Sequence, residues 1–167
     1  MDRREKIINI IKQNKKPISA SALSKELGVS RQAIVGDVAL IRASGTPITA
    51  TPRGYILDEK ESQNIYTIAL NHAEEDVQDE LYTIVDLGGH IIDVIVEHPI
   101  YGQLTGKLHI TSRYDVDQFM EKVKTHNALP LSQLTNGLHL HTIQCSDKQI
   151  YNRIVEALDK KGYLFKK

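Results

Sequence analysis

Apolar residues recur at helical spacing through the first 57 positions, and the residues that start and stop helices stand between them. Asp2 can cap an opening helix with Ile7, Ile8 and Ile11 on its inner face. Ser19 or Ser21 can cap a second helix carrying Ala22, Leu23 and Leu27, and Gly28 supplies the left-handed residue that ends it. Val29 can then turn inward. Ser30 is placed to cap a third helix in which Ile34, Val38 and Ile41 form the buried stripe, leaving Arg31, Gln32 and Val35 at its exposed N-terminal end. The pattern stops near Gly45-Thr46-Pro47. Pro52-Arg53-Gly54 then reads as a tight turn between two short strands, Ile48 to Thr51 and Tyr55 to Leu57. Two helices split by a Gly-Val-Ser turn and followed by a Pro/Gly-bounded ribbon form the pattern of a winged helix-turn-helix over residues 1–57. That pattern points to duplex DNA, because the N-terminal end of the third helix is the part that enters a major groove.

Asp58-Glu59-Lys60-Glu61-Ser62 is polar and free of large apolar residues, and reads as a linker over 58–62. From 63 to 167 the pattern alternates. Ile65 to Leu70 predicts a strand, Val77 to Val85 a helix, His90 to Glu97 a buried strand, and Gln103 to Ile110 another strand. Val116, Phe119, Met120 and Val123 predict a helix with Asp115 as its cap candidate. Leu138 to Ile143 alternates as a strand, and Asp147 opens a last helix with Ile150, Ile154 and Leu158 inside, ended by Gly162. Tyr163 to Phe165 can add an edge strand. The whole reads as α+β: a winged helix-turn-helix followed by an α/β domain with a mixed or antiparallel sheet and packed helices.

Charge sharpens the division. The formal net charge is zero, yet residues 1–57 hold ten Lys/Arg against four Asp/Glu, and the rest holds eleven against seventeen. A basic module concentrates a polyanion, while an acidic body is repelled by the same phosphates and is expected to face away from DNA. Arg31 and Gln32 are the candidates for groove contacts after Ser30, with Arg53 in the wing and Arg42 for phosphate or adjacent surface. One cysteine, Cys145, excludes an intramolecular disulfide framework and suits a reducing cytoplasm. No apolar run reaches membrane-spanning length, and the charged start does not read as a signal peptide.

All seven histidines fall after residue 57. His139 and His141 are spaced to share one face of a strand, where two imidazoles can meet one metal ion. If the helix carrying Glu80 packs on that sheet, His72, Glu80, His139 and His141 can converge as three nitrogens and an oxygen, suited to zinc, nickel, iron or manganese. Four surface polar groups would give the same spacing. Cys145 is conceivable as a further ligand and fits equally a small buried residue. His90, His109 and His126 lack such a pattern.

His98-Pro99-Ile100-Tyr101-Gly102 follows a buried strand and can form a turn that holds an imidazole and a phenol at a pocket edge, where both can bond a carboxylate. Arg113 can add a charge-assisted contact. A structural turn with a packed Tyr is the plain alternative.

His72, Glu80, the segment from Glu97 to Gly102, Ser112-Arg113 and the run LSQLTNGLHLH from Leu131 to His141 resemble the 3H domain, named for three histidines. The N-terminal part resembles the helix-turn-helix of type 11. Together these cover nearly the whole chain and resemble the niacin-responsive repressors of NAD biosynthesis. The resemblance implies a homodimeric repressor, a divalent transition metal at His72, Glu80, His139 and His141, and nicotinic acid as co-repressor. Three other readings compete: a metal-dependent hydrolase using the same cluster to activate water, a biotin-ligase-type protein, and a DNA-binding adaptor whose metal is purely structural. The chain has no His-Glu-x-x-His helix and no Gly-x-Ser-x-Gly turn, and its C-terminal part is too short for a biotin-ligase catalytic domain.

Overall fold

A computed structural model describes residues 1–57 and 64–166. The expected linker at 58–62 lies outside the described residues. Three helices come first: α1 (Arg3–Gln13), α2 (Ala20–Leu27) and α3 (Arg31–Ala43). Their starts follow the sequence closely, since Asp2, Ser19 and Ser30 each accept a backbone N–H from the first turn. Asp2 and Glu5 complete a reciprocal capping box. Gly28 ends α2 in the left-handed conformation at φ 67°. The wing follows as β1 (Ile48–Thr51) paired antiparallel with β2 (Gly54–Leu57). Ile7, Ile11, Leu23, Ile34, Val38, Ile41 and Tyr55 close one core beneath it.

The second domain is a four-stranded antiparallel sheet, β3 (Ile65–Asn71), β4 (His90–His98), β5 (Gly102–Ile110) and β6 (Leu138–Gln144), in the order β3-β6-β4-β5. Three helices complete it: α4 (Val77–Asp86), α5 (Arg113–Thr125) and α6 (Lys148–Lys160). Ile68, Leu70, Leu81, Ile84, Ile91, Val116, Ile143, Ile154 and Leu158 make the core between these helices and one face of the sheet. Cys145 is buried at the edge of that core. The α+β class and antiparallel sheet agree with the pattern. Ser112, not Asp115, caps α5, because the chain turns three residues earlier and Asp115 instead accepts from Thr111. Tyr163 to Phe165 contributes a single bridge, Leu164 against Leu70, rather than a full strand. Short 3-10 turns at Glu74–Asp76 and Leu131–Thr135, which carry no apolar periodicity, precede α4 and β6. Among the described residues no helix is long and apolar enough to cross a membrane.

The two domains touch. Ala39 of α3 is buried with Ala69, Ile95, Leu138 and Leu140 of the sheet, on the face opposite α4. The acidic domain therefore does not stand clear of α3: apolar burial along this contact outweighs any general separation of basic and acidic surfaces.

Candidate functional site

The His-x-His pair behaves as strand geometry requires. On β6, His139 and His141 point to one face and Leu138 and Leu140 to the other. On β3, Leu70 and Ile68 stand opposite His139 and His141, and His72 follows the strand's end. The sheet face is then closed by α4, which delivers Glu80 from its first turn.

All three imidazoles converge on one carboxylate oxygen. Glu80 Oε1 lies 2.9 Å from His141 Nε2, 3.0 Å from His139 Nε2 and 3.4 Å from His72 Nε2. The second nitrogen of each ring is held by backbone: His139 Nδ1 by the Gly137 carbonyl at 2.8 Å, His141 Nδ1 by Asp93 at 2.7 Å and His72 Nδ1 by Ala73 at 3.0 Å. A neutral imidazole that donates from Nδ1 presents its lone pair at Nε2, so the backbone fixes the tautomer that a metal needs. His72 Nε2 is buried with no hydrogen bond of good geometry. The candidate ligand atoms of His72, Glu80 and His139 all lie within 4.8 Å of one another. The donor set is three imidazole nitrogens and one carboxylate, and it fits a divalent transition metal.

The electrostatics of the cluster are coupled. Burial disfavours the Glu80 carboxylate, but the three imidazoles outweigh it and hold its pKa well below the usual range. Burial likewise lowers His72 and His141, and Glu80 more than restores them, leaving both above an ordinary histidine. For His139 burial prevails and its pKa is lowered.

Two local devices that the sequence did not flag hold this geometry. A register shift between Ile91 and Asp93 on β4 frees the Asp93 carbonyl for His141, while the Asp93 carboxylate accepts from Thr142 N. Gly137 sits at φ 94°, and a Cβ there would stand 2.5 Å from the His72 carbonyl oxygen. Only glycine permits that approach. The adjoining pocket, lined by Leu108, Phe119, Leu131 and Ser132, measures about 30 Å³.

The other predicted residues are distributed differently. Ser30 and Gln32 are exposed at the start of α3, and Arg53 is exposed at the wing tip. Arg31 and Arg53 line one cleft, with His98 and Pro99 on its opposite wall. Arg42 is half-buried at the contact between the domains. It donates to Gln103 Oε1 at 3.0 Å between the domains, where burial lowers its pKa against the opposing pull of Glu97. His98 and Tyr101 are brought together, with ring centroids 4.8 Å apart, but at the wing rather than at the metal cluster. His98 Nδ1 accepts the N–H groups of Ile100 and Tyr101, so this imidazole shapes its own turn. Arg113 is not with them: it forms a bidentate pair with Asp86 and lies over the Tyr82 ring at 4.2 Å. Glu97 entered the sequence reading only as part of the 3H-like segment, with no role of its own. It is half-buried beside Tyr55, Arg31 and Arg42, and burial raises its pKa. Its place at the end of the apolar run IIDVIV was the signal in the residues themselves.

Comparison with known proteins agrees with this architecture. The helix-turn-helix profile matches residues 3–56 and the 3H domain profile residues 65–167. A probable transcription repressor, NiaR, of Thermotoga maritima is 42% identical over 163 residues, covering 98% of this chain and 93% of that protein. The transcription repressor NadR of Bacillus subtilis is 38% identical over 169 residues, covering 99% of this chain and 94% of that protein. The chain belongs to the 3H-domain family of transcription repressors. Membership in a repressor family argues against the hydrolase and biotin-ligase readings of the histidine cluster.

Proposed function

We propose that this chain is a cytoplasmic, homodimeric repressor of NAD-biosynthesis and niacin-uptake genes, with nicotinic acid as co-repressor and a divalent transition metal in its 3H domain. The convergence of three Nε2 atoms on Glu80, each ring anchored at Nδ1 by backbone, carries the metal part of this reading. His72, Glu80, His139 and His141 would hold the ion, which when bound supplies a Lewis-acidic position for a carboxylate or a pyridine nitrogen. The chain's own contribution is orientation: Gly137, Asp93 and Ala73 fix the ring tautomers, and α4 excludes water from the carboxylate. Ser30, Arg31, Gln32 and Arg53 are the proposed DNA contacts, Gln32 for a base edge and Arg53 for phosphate.

A second reading is favoured by one observation. The pocket beside the cluster, about 30 Å³, admits a water or two but not a pyridine ring. A purely structural metal fits that closure, and under the co-repressor reading α5 and the 131–135 turn must open to admit the ligand. His98, Tyr101 and Arg113 do not form one effector pocket in this arrangement, so His98 and Tyr101 are proposed as a pair at the wing and Arg113 as a separate residue.

The deciding experiment titrates operator DNA with and without nicotinate, using metal-loaded and chelated protein. The co-repressor reading expects tighter binding with nicotinate, by about 5- to 150-fold, and only in the metal-loaded protein. Linkage requires operator to tighten nicotinate binding by the same factor. An equal response after chelation removes the metal from the mechanism, and no response with metal retained favours the structural site.

A further inference from the structure

The face of α3 that a helix-turn-helix turns toward DNA is covered from Gly36 onward, while Gln32 at its start stays exposed. Gln32, Gly36, Ala39 and Ala43 lie on the side of the helix opposite Ile34, Val38 and Ile41, which fill the N-terminal core. Gly36 and Ala39 on that outer side are buried. Ala39 packs with Ala69, Ile95, Leu138 and Leu140 of the sheet, and Val35, Ala43 and Phe165 join the same cluster. Phe165 is fixed there by its N–H, which donates to the Ala69 carbonyl at 3.0 Å. Its ring closes on the one α3 residue with no side chain: a Cβ on Gly36 would stand 2.9 Å from Phe165 Cζ. The outer face therefore shows small and apolar groups matched to the sheet. A B-DNA major groove, about 12 Å wide, admits a helix but not a helix with a sheet against it.

We propose that the 3H sheet occupies the reading face of α3 within the same chain, so that this docked arrangement is one of low operator affinity and specific binding requires α3 to leave the sheet. The interface is built to open. It is interrupted by a partly open pocket of about 210 Å³ between Arg31, Gln32 and Arg42 on one side and Ile95, Leu138 and Leu140 on the other. Groups lining such a void forgo contacts that a continuous core would make. Interfaces of this kind between domains of one chain resemble transient ones. The docked arrangement leaves Ser30, Gln32 and Arg53 exposed, so contact with phosphates survives, but the sheet against Gly36 and Ala39 keeps α3 from seating Gln32 deep in the groove. Docked protein accordingly keeps weak binding to any duplex. The proposal rests on the DNA-binding reading above.

The test uses full-length Cys145→Ala protein carrying Ala69→Cys, a small replacement on the sheet side of the contact. Ala69 is 3% exposed, so its thiol reacts slowly with a water-soluble maleimide while the domains are docked. The operator is obtained by enrichment from random duplexes. Saturating operator is expected to speed labelling by at least about tenfold, and saturating random duplex to leave it unchanged. Phe165→Ala, outside the helix-turn-helix, is expected to bind operator several-fold more tightly and to label faster without DNA. If no sequence is enriched, the DNA-binding reading fails. If one is enriched but labelling stays slow with operator bound, or if folded Phe165→Ala binds no more tightly, the domains stay docked on DNA and the proposal is overturned.

Discussion

Glu80→Gln tests the proposed metal site at the atom on which it turns. Glu80 Oε1 sits 2.9 to 3.4 Å from three imidazole nitrogens, and the side chain is 1% exposed. Glutamine keeps the shape and one acceptor oxygen but removes the negative charge. Without metal, the imidazoles can shed their protons when the carboxylate is gone, so the fold is expected to hold. With metal, a charged ligand is missing. At a free metal concentration of 100 times its dissociation constant, the parent gains about 2.7 kcal/mol. For a chain of this size that is a rise in Tm of about 5 to 11 °C. Altering even the groups that orient metal ligands weakens sites by about 10- to 100-fold. A 100-fold loss would bring the variant to half-occupancy at the same concentration, with a gain of about 0.4 kcal/mol and a rise under about 2 °C. Scanning calorimetry at pH 7.5 with nickel or zinc, chelated controls and elemental analysis reads both effects. A variant that keeps the parent's metal-induced shift would refute the carboxylate as ligand, and one that is unfolded after chelation would refute the charge-relief argument.

Three further outcomes follow from the same geometry. Because the pKa values of His72 and His141 are raised, the stabilisation from their protonated pairing with Glu80 is full below about pH 6.5 and is lost as pH rises through the folded values. Metal must displace those protons, so the metal-induced rise in Tm should grow between pH 6 and 8, by about tenfold in affinity per pH unit for each proton displaced, and a shift that shrinks over that range would contradict the assignment. Gly137→Ala places a Cβ 2.5 Å from the His72 carbonyl and should displace the Gly137 carbonyl that orients His139, lowering metal affinity by about 10- to 100-fold with all four ligands intact, as competition with a chromogenic chelator would show. Gln32→Ala should erase about 1 to 3 kcal/mol of preference for the correct base, whereas Arg53→Ala should weaken every duplex alike and lower the slope of log affinity against log salt by about 0.9, both measurable by fluorescence anisotropy.

What could be read from the sequence was what short-range chemistry decides. Ser19, Gly28 and Ser30 act within one turn of their own position, so the helix-turn-helix was legible from local spacing. His139 and His141 were legible as a pair because strand alternation leaves no choice of face once one side is buried. Their meeting with Glu80 needed more, since a sequence does not say that β6 lies between β3 and β4 or that α4 closes that face. The His98 to Gly102 segment shows the limit. Its turn was correctly placed, but its neighbour is the wing: a Cβ on Gly102 would stand 2.4 Å from the Thr51 carbonyl carbon. The surroundings of Arg42 were hidden for the same reason, because a charged residue late in an amphipathic helix reads as solvent-facing until a second domain supplies Gln103 as its partner.

β6 joins the histidine cluster to the contact with α3, since one strand serves both faces of the sheet. His139 and His141 reach the cluster under α4, while Leu138 and Leu140 reach α3. A strand is stiff along its length and its side chains alternate, so a shift that optimises imidazoles around a ligand moves the leucines on the reverse face by a comparable amount. Packed interfaces answer such shifts by switching rather than stretching, so under the proposed co-repressor function this strand would be the route between the cluster and α3. Leu140→Ala separates the two faces. Leu140 is 5% exposed, and truncating a buried leucine costs about 2 to 5 kcal/mol, much of it here drawn from the contact with α3. Operator affinity without nicotinate should therefore rise, the response to added nicotinate should shrink, and metal content should stay at the parent's level. Loss of metal together with loss of operator binding would show that the strand was damaged as a whole. A normal nicotinate response with unchanged operator affinity would show that the two faces of β6 do not communicate.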